Sequence, residues 1–408
     1  MSRRRVVITG VGVISALGSN ATQFWDKLSR GIPAIGPIEA VDRSLLRFQN
    51  AAEVRGYNSV DHFDREGARL LDRFTQLGLV AAREAVRSSG LEWSARLLER
   101  TGVVTGSALG GQGVEDEAFA ELYLRGRTRV HPLSIPRIMT NALTSHITMQ
   151  YGLTGPAYTV STACSSASHA IGQAFWMIRE GVIDAALAGG SEAPFSFANL
   201  KAWEALRVVS PDTCRPFSRF RDGITLGEGG AMLVLESRDL AVSRGARIQG
   251  ELVGFGMSSD AYHLTQPKPE GAAQAMRTAL RDAALHPEMI GYINAHGTGT
   301  EANDSSEIRA IRITFGSHAE RLAVSSTKSM HGHALGAAGA LEAVATVLSL
   351  HNDVLPPTAN FLEPDPGCDL DVIPNIPRAV RCEYAISNSF GFGGLNAVLV
   401  FRNSAGEN

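Results

Sequence analysis

Apolar positions along this chain fall into two patterns. Short runs rich in β-branched residues, "VVITGVGVIS" (6–15), "RTGVVTGS" (100–107), "AYTVSTA" (157–163) and "IGYINAHG" (290–297), carry little polar alternation and predict strands buried on both faces. Between them, stretches such as 75–89 and 271–284 repeat apolar residues every three or four positions and predict helices with one buried face. Strands alternating with helices predict α/β layers.

The pattern also repeats. Adding 164 to a residue number carries "TVSTACSSASHAIG" (159–172) onto "AVSSTKSMHGHALG" (323–336). Val160 maps to Val324, Ser161 to Ser325, Ser165 to Ser329, and His169, Ala170 and Gly172 to His333, Ala334 and Gly336. The same shift carries Gly227, Gly229 and Gly230 onto Gly391, Gly393 and Gly394, and Val234 and Leu235 onto Val398 and Leu399. A looser echo links 6–15 to 251–260. We read two similar halves, 1–245 and 246–408, each running strand, helix, strand, helix and a closing pair of strands, packed as one body because no Pro- or Ser-rich linker divides them. Residues 108–153 have no counterpart in the second half and are expected to cap a site or build a subunit interface. On this reading Cys164 and Lys328 occupy equivalent strand-to-helix corners that a pseudo-twofold axis brings together.

Composition narrows the class. With 408 residues, 44% hydrophobic and 19% charged, the chain can bury a substantial core. A net charge of −3 supplies no basic field for nucleic acid. No apolar run reaches membrane-spanning length, and the basic, then apolar N-terminus is short, glycine-broken and β-branched, so it reads as a first core strand rather than a leader. Four scattered cysteines without C-x-x-C pairs argue against a zinc ribbon or disulfide framework and fit a reducing cytosol.

Candidate chemistry gathers at the repeat. Cys164 stands where a strand gives way to a helix among small residues, where backbone N–H groups and the helix dipole are expected to lower a thiol pKa; a buried filler is the plain alternative. "NAHGTGT" (294–300) places His296, Thr298 and Thr300 on a strand-end loop, a common site of function in α/β folds, although a turn-satisfying histidine has the same look. In "NDSSE", Asn303 or Asp304 could cap the next helix with Glu307 closing a capping box, or one of the acids could partner Lys328. His331 and His333 form H-x-H without a third ligand at recognisable spacing. One of His169 and His333 is expected to be structural. "SNSFGFGGLN" (387–396) is either a glycine hairpin or a mobile turn carrying a backbone N–H and the aromatic Phe392. "TGVGVIS" lacks the third glycine of a dinucleotide loop.

"TACSSAS", "NAHGTGT", "STKSMHGHALGAAG" and "NSFGFGG", in this order and spacing, resemble the β-ketoacyl-acyl-carrier-protein synthases, most of all the type II enzyme of bacterial fatty-acid synthesis, over nearly the whole chain. The resemblance implies the thiolase fold, a duplicated five-layered αβαβα arrangement, in a cytoplasmic homodimer that needs no cofactor. It implies Cys164 as nucleophile, His296 and His333 as the two histidines, Lys328 and Glu307 in the polar network around them, and Phe392 as a gate whose N–H joins that of Cys164 in an oxyanion hole. Thr298 and Thr300 then meet the pantetheine arm, Leu109 lines the acyl pocket, and Phe390 and Gly391 flank the substrate. Glu342, Ser387 and Asn388 match where some members hold a structural monovalent cation. The implied reaction is decarboxylating condensation of an acyl-enzyme with malonyl-acyl-carrier protein. Arg65, Arg69, Arg73, Lys201 and Arg207 are candidates to meet an acidic carrier protein.

The sequence departs from the housekeeping wording at His331 and Leu395, where threonine is expected, and in "ACSSASHA". A specialised synthase for a polyketide, polyene, nodulation-type or very-long-chain lipid is therefore the alternative. A thiolase-type enzyme acting on coenzyme A is disfavoured by two histidines with "GFGG" in place of a second catalytic cysteine. A non-catalytic chain-length partner is disfavoured by the presence of Cys164.

Overall fold

The computed structural model describes residues 3–404. Its framework is ten strands in one hydrogen-bonded series. The first half contributes β1 (Val6–Ser15), β2 (Thr101–Gly106), β3 (Ala157–Val160), β4 (Ala185–Glu192) and β5 (Gly229–Ser237). The second contributes β6 (Gly250–Ser259), β7 (Ile290–Asn294), β8 (Ala323–Ser325), β9 (Tyr384–Gly391) and β10 (Leu395–Arg402). The order is β8-β7-β9-β10-β6-β1-β5-β4-β2-β3, so each half reads the same way outward from the middle. The halves meet where β1 and β6 pair antiparallel, with Val6, Val7 and Ile8 opposite Leu252, Glu251 and Gly250. In each half the three outer strands are parallel, and an antiparallel pair, β4 with β5 or β9 with β10, turns back toward the middle.

Eight helices matter for the site: α1 (Arg73–Ser89), α2 (Gln112–Tyr123), α3 (Ala142–Tyr151), α4 (Ser166–Arg179), α5 (Phe197–Leu206), α6 (Pro269–Asp282), α7 (Glu301–Phe315) and α8 (Ala338–Asn352). The helix expected over 75–89 starts two residues earlier because Asp72 caps it by accepting the Phe74 N–H. The helix expected over 271–284 starts at Pro269, a residue suited to a first helical position.

Three apolar clusters define the layers. One joins α4 and α8 to strands of both halves, with Ile171, Phe175, Leu341 and Val344 beside Leu233, Phe255 and Leu399. A second packs α6 and α7 on the outer face of the second half, and a third packs α1 and α3 on the outer face of the first. Helix, sheet, central helices, sheet, helix is the expected five-layered αβαβα order. α8 is apolar nearly all round because it lies between two sheets.

The architecture corrects one expectation. Each half carries an extra strand-and-helix step, since the short edge strands β3 and β8 add to the strand, helix, strand, helix and closing pair read from the sequence. Residues 108–153 form α2, α3 and a short helix at Ser134–Ile138, and expose Tyr123, Leu124, Ile135 and Met149. No described helix is long and apolar enough to cross a membrane.

Candidate active site

The loops that carry the candidate residues leave the carboxyl ends of the parallel strands, where α/β folds gather ligands. β3 leads to Cys164, β7 to His296, β8 to Lys328 and His333, and β9 to Phe392. The antiparallel register of β9 and β10 sets Phe390 opposite Asn396 and Gly391 opposite Leu395, so the chain turns tightly through 392–394 beside the cysteine.

Cys164 lies two residues before α4 begins, and Ala163 before it adopts a left-handed φ of 52°. That turn lifts the thiol out of the strand direction into a cavity also lined by His296, His333, Phe390, Gly391 and Phe392. The Phe392 and Cys164 backbone N–H groups both act on the sulfur. The expected depression of the thiol pKa is overturned. Burial pushes it up to about 11, more than Lys328 and the two N–H groups pull it down, because the buried sulfur lacks the water that would solvate a thiolate.

The two imidazoles meet edge to face, with ring centroids 5.5 Å apart at 87°. His333 Nδ1 accepts the Leu335 N–H at 3.2 Å, and Lys328 Nζ stands 3.3 Å from His296 Nδ1 while also donating to the His296 carbonyl at 2.6 Å. With each Nδ1 facing a donor, each ring is a neutral imidazole whose proton sits on Nε2. Burial and then Lys328 hold both pKa values well below the usual histidine range. The pair therefore offers two N–H donors at one place.

The Cys164 sulfur and one nitrogen from each ring lie within 4.8 Å of one another. Binding a metal there would require both rings to change tautomer and give up their Nδ1 partners. The H-x-H reading also fails, because His331 has Nδ1 against the Gly332 carbonyl at 2.8 Å and Nε2 against Thr327 Oγ1 at 3.0 Å, and burial pushes its pKa down to about 3. The departure from threonine at that position thus stands outside the cavity. His169 is structural, with Nδ1 3.1 Å from Thr162 Oγ1 and from the Ser165 carbonyl, so of the repeat-related pair His333 is the one that faces the cysteine.

Glu307 and Lys328 do not pair. The Lys328 ammonium, fully buried, bonds Glu342. Glu307 instead accepts the His296 and Gly297 N–H groups at 2.9 and 2.8 Å and the Asn388 amide at 3.0 Å, fixing the loop on which His296 stands. The capping box is likewise absent: Thr300 caps α7 by accepting the Asn303 N–H, and buried Asp304 accepts the Phe217 and Gly299 N–H groups. Thr298 and Thr300 are bonded to each other at 3.0 Å and both line the cavity.

Leu109 is half-buried beside the cavity rather than in its wall, sharing an apolar cluster with Trp203 and Leu335. The wall there is Trp203, Val208 and Ile224, and the Phe392 ring stacks on Trp203 with centroids 6.1 Å apart at 27°. Trp203 was not legible as a site residue, since nothing in its helical context sets it apart. Of the candidate docking cations, Arg73 is committed to Glu228 and Lys201 to Glu204; Arg65, Arg69 and Arg207 stay exposed.

Glu342 Oε2, Ser387 Oγ and Asn388 Oδ1 are buried oxygens without a hydrogen-bond partner among the described residues. Burial pushes the Glu342 carboxyl up to about 7 despite Lys328. Each is the hard type of donor that a cation of low charge takes.

A duplicated αβαβα body with a cysteine under two backbone N–H groups and opposite two histidine N–H donors defines a thiolase-fold condensing enzyme. Residues 3–241 match the N-terminal domain of β-ketoacyl synthase and 249–362 its C-terminal domain, and the chain belongs to that family. It is 48% identical to Nodulation protein E of Rhizobium sp. (strain N33) over 401 residues, 98% of this chain and 99% of that one. It is 41% identical over 406 residues to 3-oxoacyl-[acyl-carrier-protein] synthase 2 of Staphylococcus aureus (strain COL), covering 98% of each. Among solved structures, the ishigamide ketosynthase/chain length factor superposes with a TM-score of 0.94 at 35% identity, over 99% of this chain and 100% of that one.

Proposed function

We propose that this chain lengthens acyl groups held on acyl-carrier protein by decarboxylating condensation with malonyl-acyl-carrier protein, as a step of fatty-acid biosynthesis. The observation that carries this is the pairing of Cys164 beneath two backbone N–H groups with two histidines whose free nitrogens both bear protons.

The acyl thioester reaches Cys164 past Thr298 and Thr300, which line the cavity and offer hydroxyls to the pantetheine arm. The sulfur attacks the thioester carbonyl, the Cys164 and Phe392 N–H groups hold the oxyanion, and the leaving pantetheine sulfur takes up the thiol proton. Because the thiol is protonated at neutral pH, this transfer accompanies the attack. The malonyl thioester then binds with its carbonyl oxygen against His296 and His333. Its carboxylate–carbon bond breaks, CO2 leaves, and the electron pair passes to an enolate stabilised by the two Nε2–H groups. The enolate carbon attacks the acyl-enzyme carbonyl, the C–S bond to Cys164 breaks, and the departing thiolate takes a proton from water. Each donor in such a hole is worth roughly 3–4 kcal/mol at the transition state. Lys328 holds His296 through its ring Nδ1 and its carbonyl, and Glu307 holds it through its backbone N–H. A monovalent cation at Glu342, Ser387 and Asn388 would settle the charge beside Lys328 and supply no chemistry of its own. The exposed edge of β3 and the apolar face of 108–153 support a homodimer, and four free cysteines support a reducing, cytoplasmic setting.

A second reading is a specialised synthase of a nodulation-type, polyene, polyketide or very-long-chain lipid pathway. The higher identity to Nodulation protein E than to the Staphylococcus aureus enzyme favours it, as does Leu395 beside the gate turn. Intact-protein mass spectrometry after incubation with a panel of acyl-carrier-protein thioesters tests both, with Cys164→Ala as control. An acyl mass increment lost in the variant supports the acyl-enzyme, and the best-loaded chain separates ordinary saturated primers from unusual ones. No increment with any primer would sink both.

A further inference from the structure

We propose that Glu192 is a positioning residue that holds His333 and the Ser107–Leu109 loop in one frame, so that the condensation step depends on it more than acyl loading does. It is the last residue of β4, fully buried, and no step above uses it. Its partners are N–H groups and one hydroxyl. Oε1 accepts the Ser107 hydroxyl at 3.0 Å and the Leu109 N–H at 3.3 Å; Oε2 accepts the Ala108 N–H at 2.7 Å and the Gly336 N–H at 3.1 Å. The carboxylate therefore ties a loop of the first half to the histidine segment of the second.

The link to His333 runs through two residues. A side chain at Gly336 would stand 2.3 Å from the Ala108 nitrogen and 2.5 Å from Glu192 Oε2, so only glycine lets the two loops touch. Leu335 beside it is held left-handed, at φ 46°, an unfavourable state for a branched side chain. That conformation aims the Leu335 N–H at His333 Nδ1, and that hydrogen bond keeps the proton on Nε2. On the other side, Leu109 packs with Trp203 and Leu335, which places the cavity's apolar neighbour under the same anchor. Burial pushes the Glu192 carboxyl up to about 7 while the four converging donors pull it down; as a carboxylate it offers acceptors only, whereas an amide in its place would turn an NH2 group against N–H donors.

The inference rests on the condensing reading and is tested with Glu192→Gln in the full-length protein. Two steps are timed separately: loading of Cys164 from an acyl-carrier-protein thioester, by intact mass, and single-turnover CO2 release when the preloaded enzyme meets malonyl-acyl-carrier protein. Leaving these donors short of one acceptor is expected to slow the second step about 10- to 100-fold. Loading is expected to change by no more than about threefold. Equal slowing of both steps, as general loosening would give, or no slowing of CO2 release, overturns the proposal. If Glu192→Gln does not fold, Glu192→Asp keeps the charge but shortens the reach across the two loops; it should show the same split, and an equal loss in both steps overturns the proposal. Wild-type protein that fails to load overturns the functional reading itself, and this one with it.

Discussion

The two strand-to-helix corners related by the repeat have the same neighbours and opposite outcomes. After β3 the chain makes one left-handed turn at Ala163, presents Cys164, and runs unbroken into α4. After β8 it presents fully buried Lys328 in one short helical turn and breaks at Gly332, at φ 69°, before α8 starts at Ala338. The unbroken helix keeps His169 bonded to its own first turn. The broken one frees His333 to face the cysteine. The two halves share a frame, and the local break in one copy leaves its histidine free to face the cavity. The sheet edges differ in the same spirit. β8 is buried, with the Val324 N–H donating to the Asp371 carbonyl, whereas β3 leaves Ala157 and Tyr158 exposed.

The comparison can be pressed by substitution at matched positions. Lys328→Met removes one partner of a wholly buried pair and should cost about 3 kcal/mol in chemical unfolding. Cys164→Ala at the matching corner should cost about 1 kcal/mol. Equal costs would mean that the two corners do not differ in how charge is held. His333→Ala should lower the condensation rate about 100- to 1,000-fold, the loss of one donor, and His169→Ala should change it by less than about threefold. A His169 variant as slow as the His333 variant would contradict the assignment, read most directly from single-turnover CO2 release.

The pH dependence of Cys164 follows from its buried state. With the thiol pushed up to about 11, its thiolate fraction rises with pH throughout the accessible range. Alkylation by iodoacetamide should therefore speed up about tenfold per pH unit between pH 7 and 10 without levelling. A plateau below pH 9 would show that the N–H groups and Lys328 outweigh burial after all. The smallest effect is expected from Ala163→Gly, which relieves the left-handed turn but loosens the unfolded chain, for a net change in stability within about 1 kcal/mol.

Much of this was legible beforehand. The offset of 164 carries the equivalence of β3 with β8 and of the two corners, and the apolar runs at 6–15, 100–107 and 290–297 all contain strands. Cys164, His296 and His333 do meet. What misled was local reading. At Cys164 the water lost on burial outweighs the N–H groups that face the sulfur. Asp304 and Glu307 looked like caps because capping is a short-range pattern, yet Glu307 accepts the N–H groups of the His296 loop ahead of its helix, and Asp304 joins that loop to the distant Phe217 N–H. Trp203 and Glu192 carried no motif, since their importance comes from what faces them.

The chain alone determined its class of fold, its duplication and the residue types at its centre, because periodicity and spacing are properties of the chain. Only the tertiary structure decided that Lys328 partners Glu342, that His333 rather than His169 faces the sulfur, that both rings carry their proton on Nε2, and that Glu192 joins the Ser107–Leu109 loop to the distant Gly336. Those are matters of which donors and acceptors meet out of water, and that is settled when distant segments pack together.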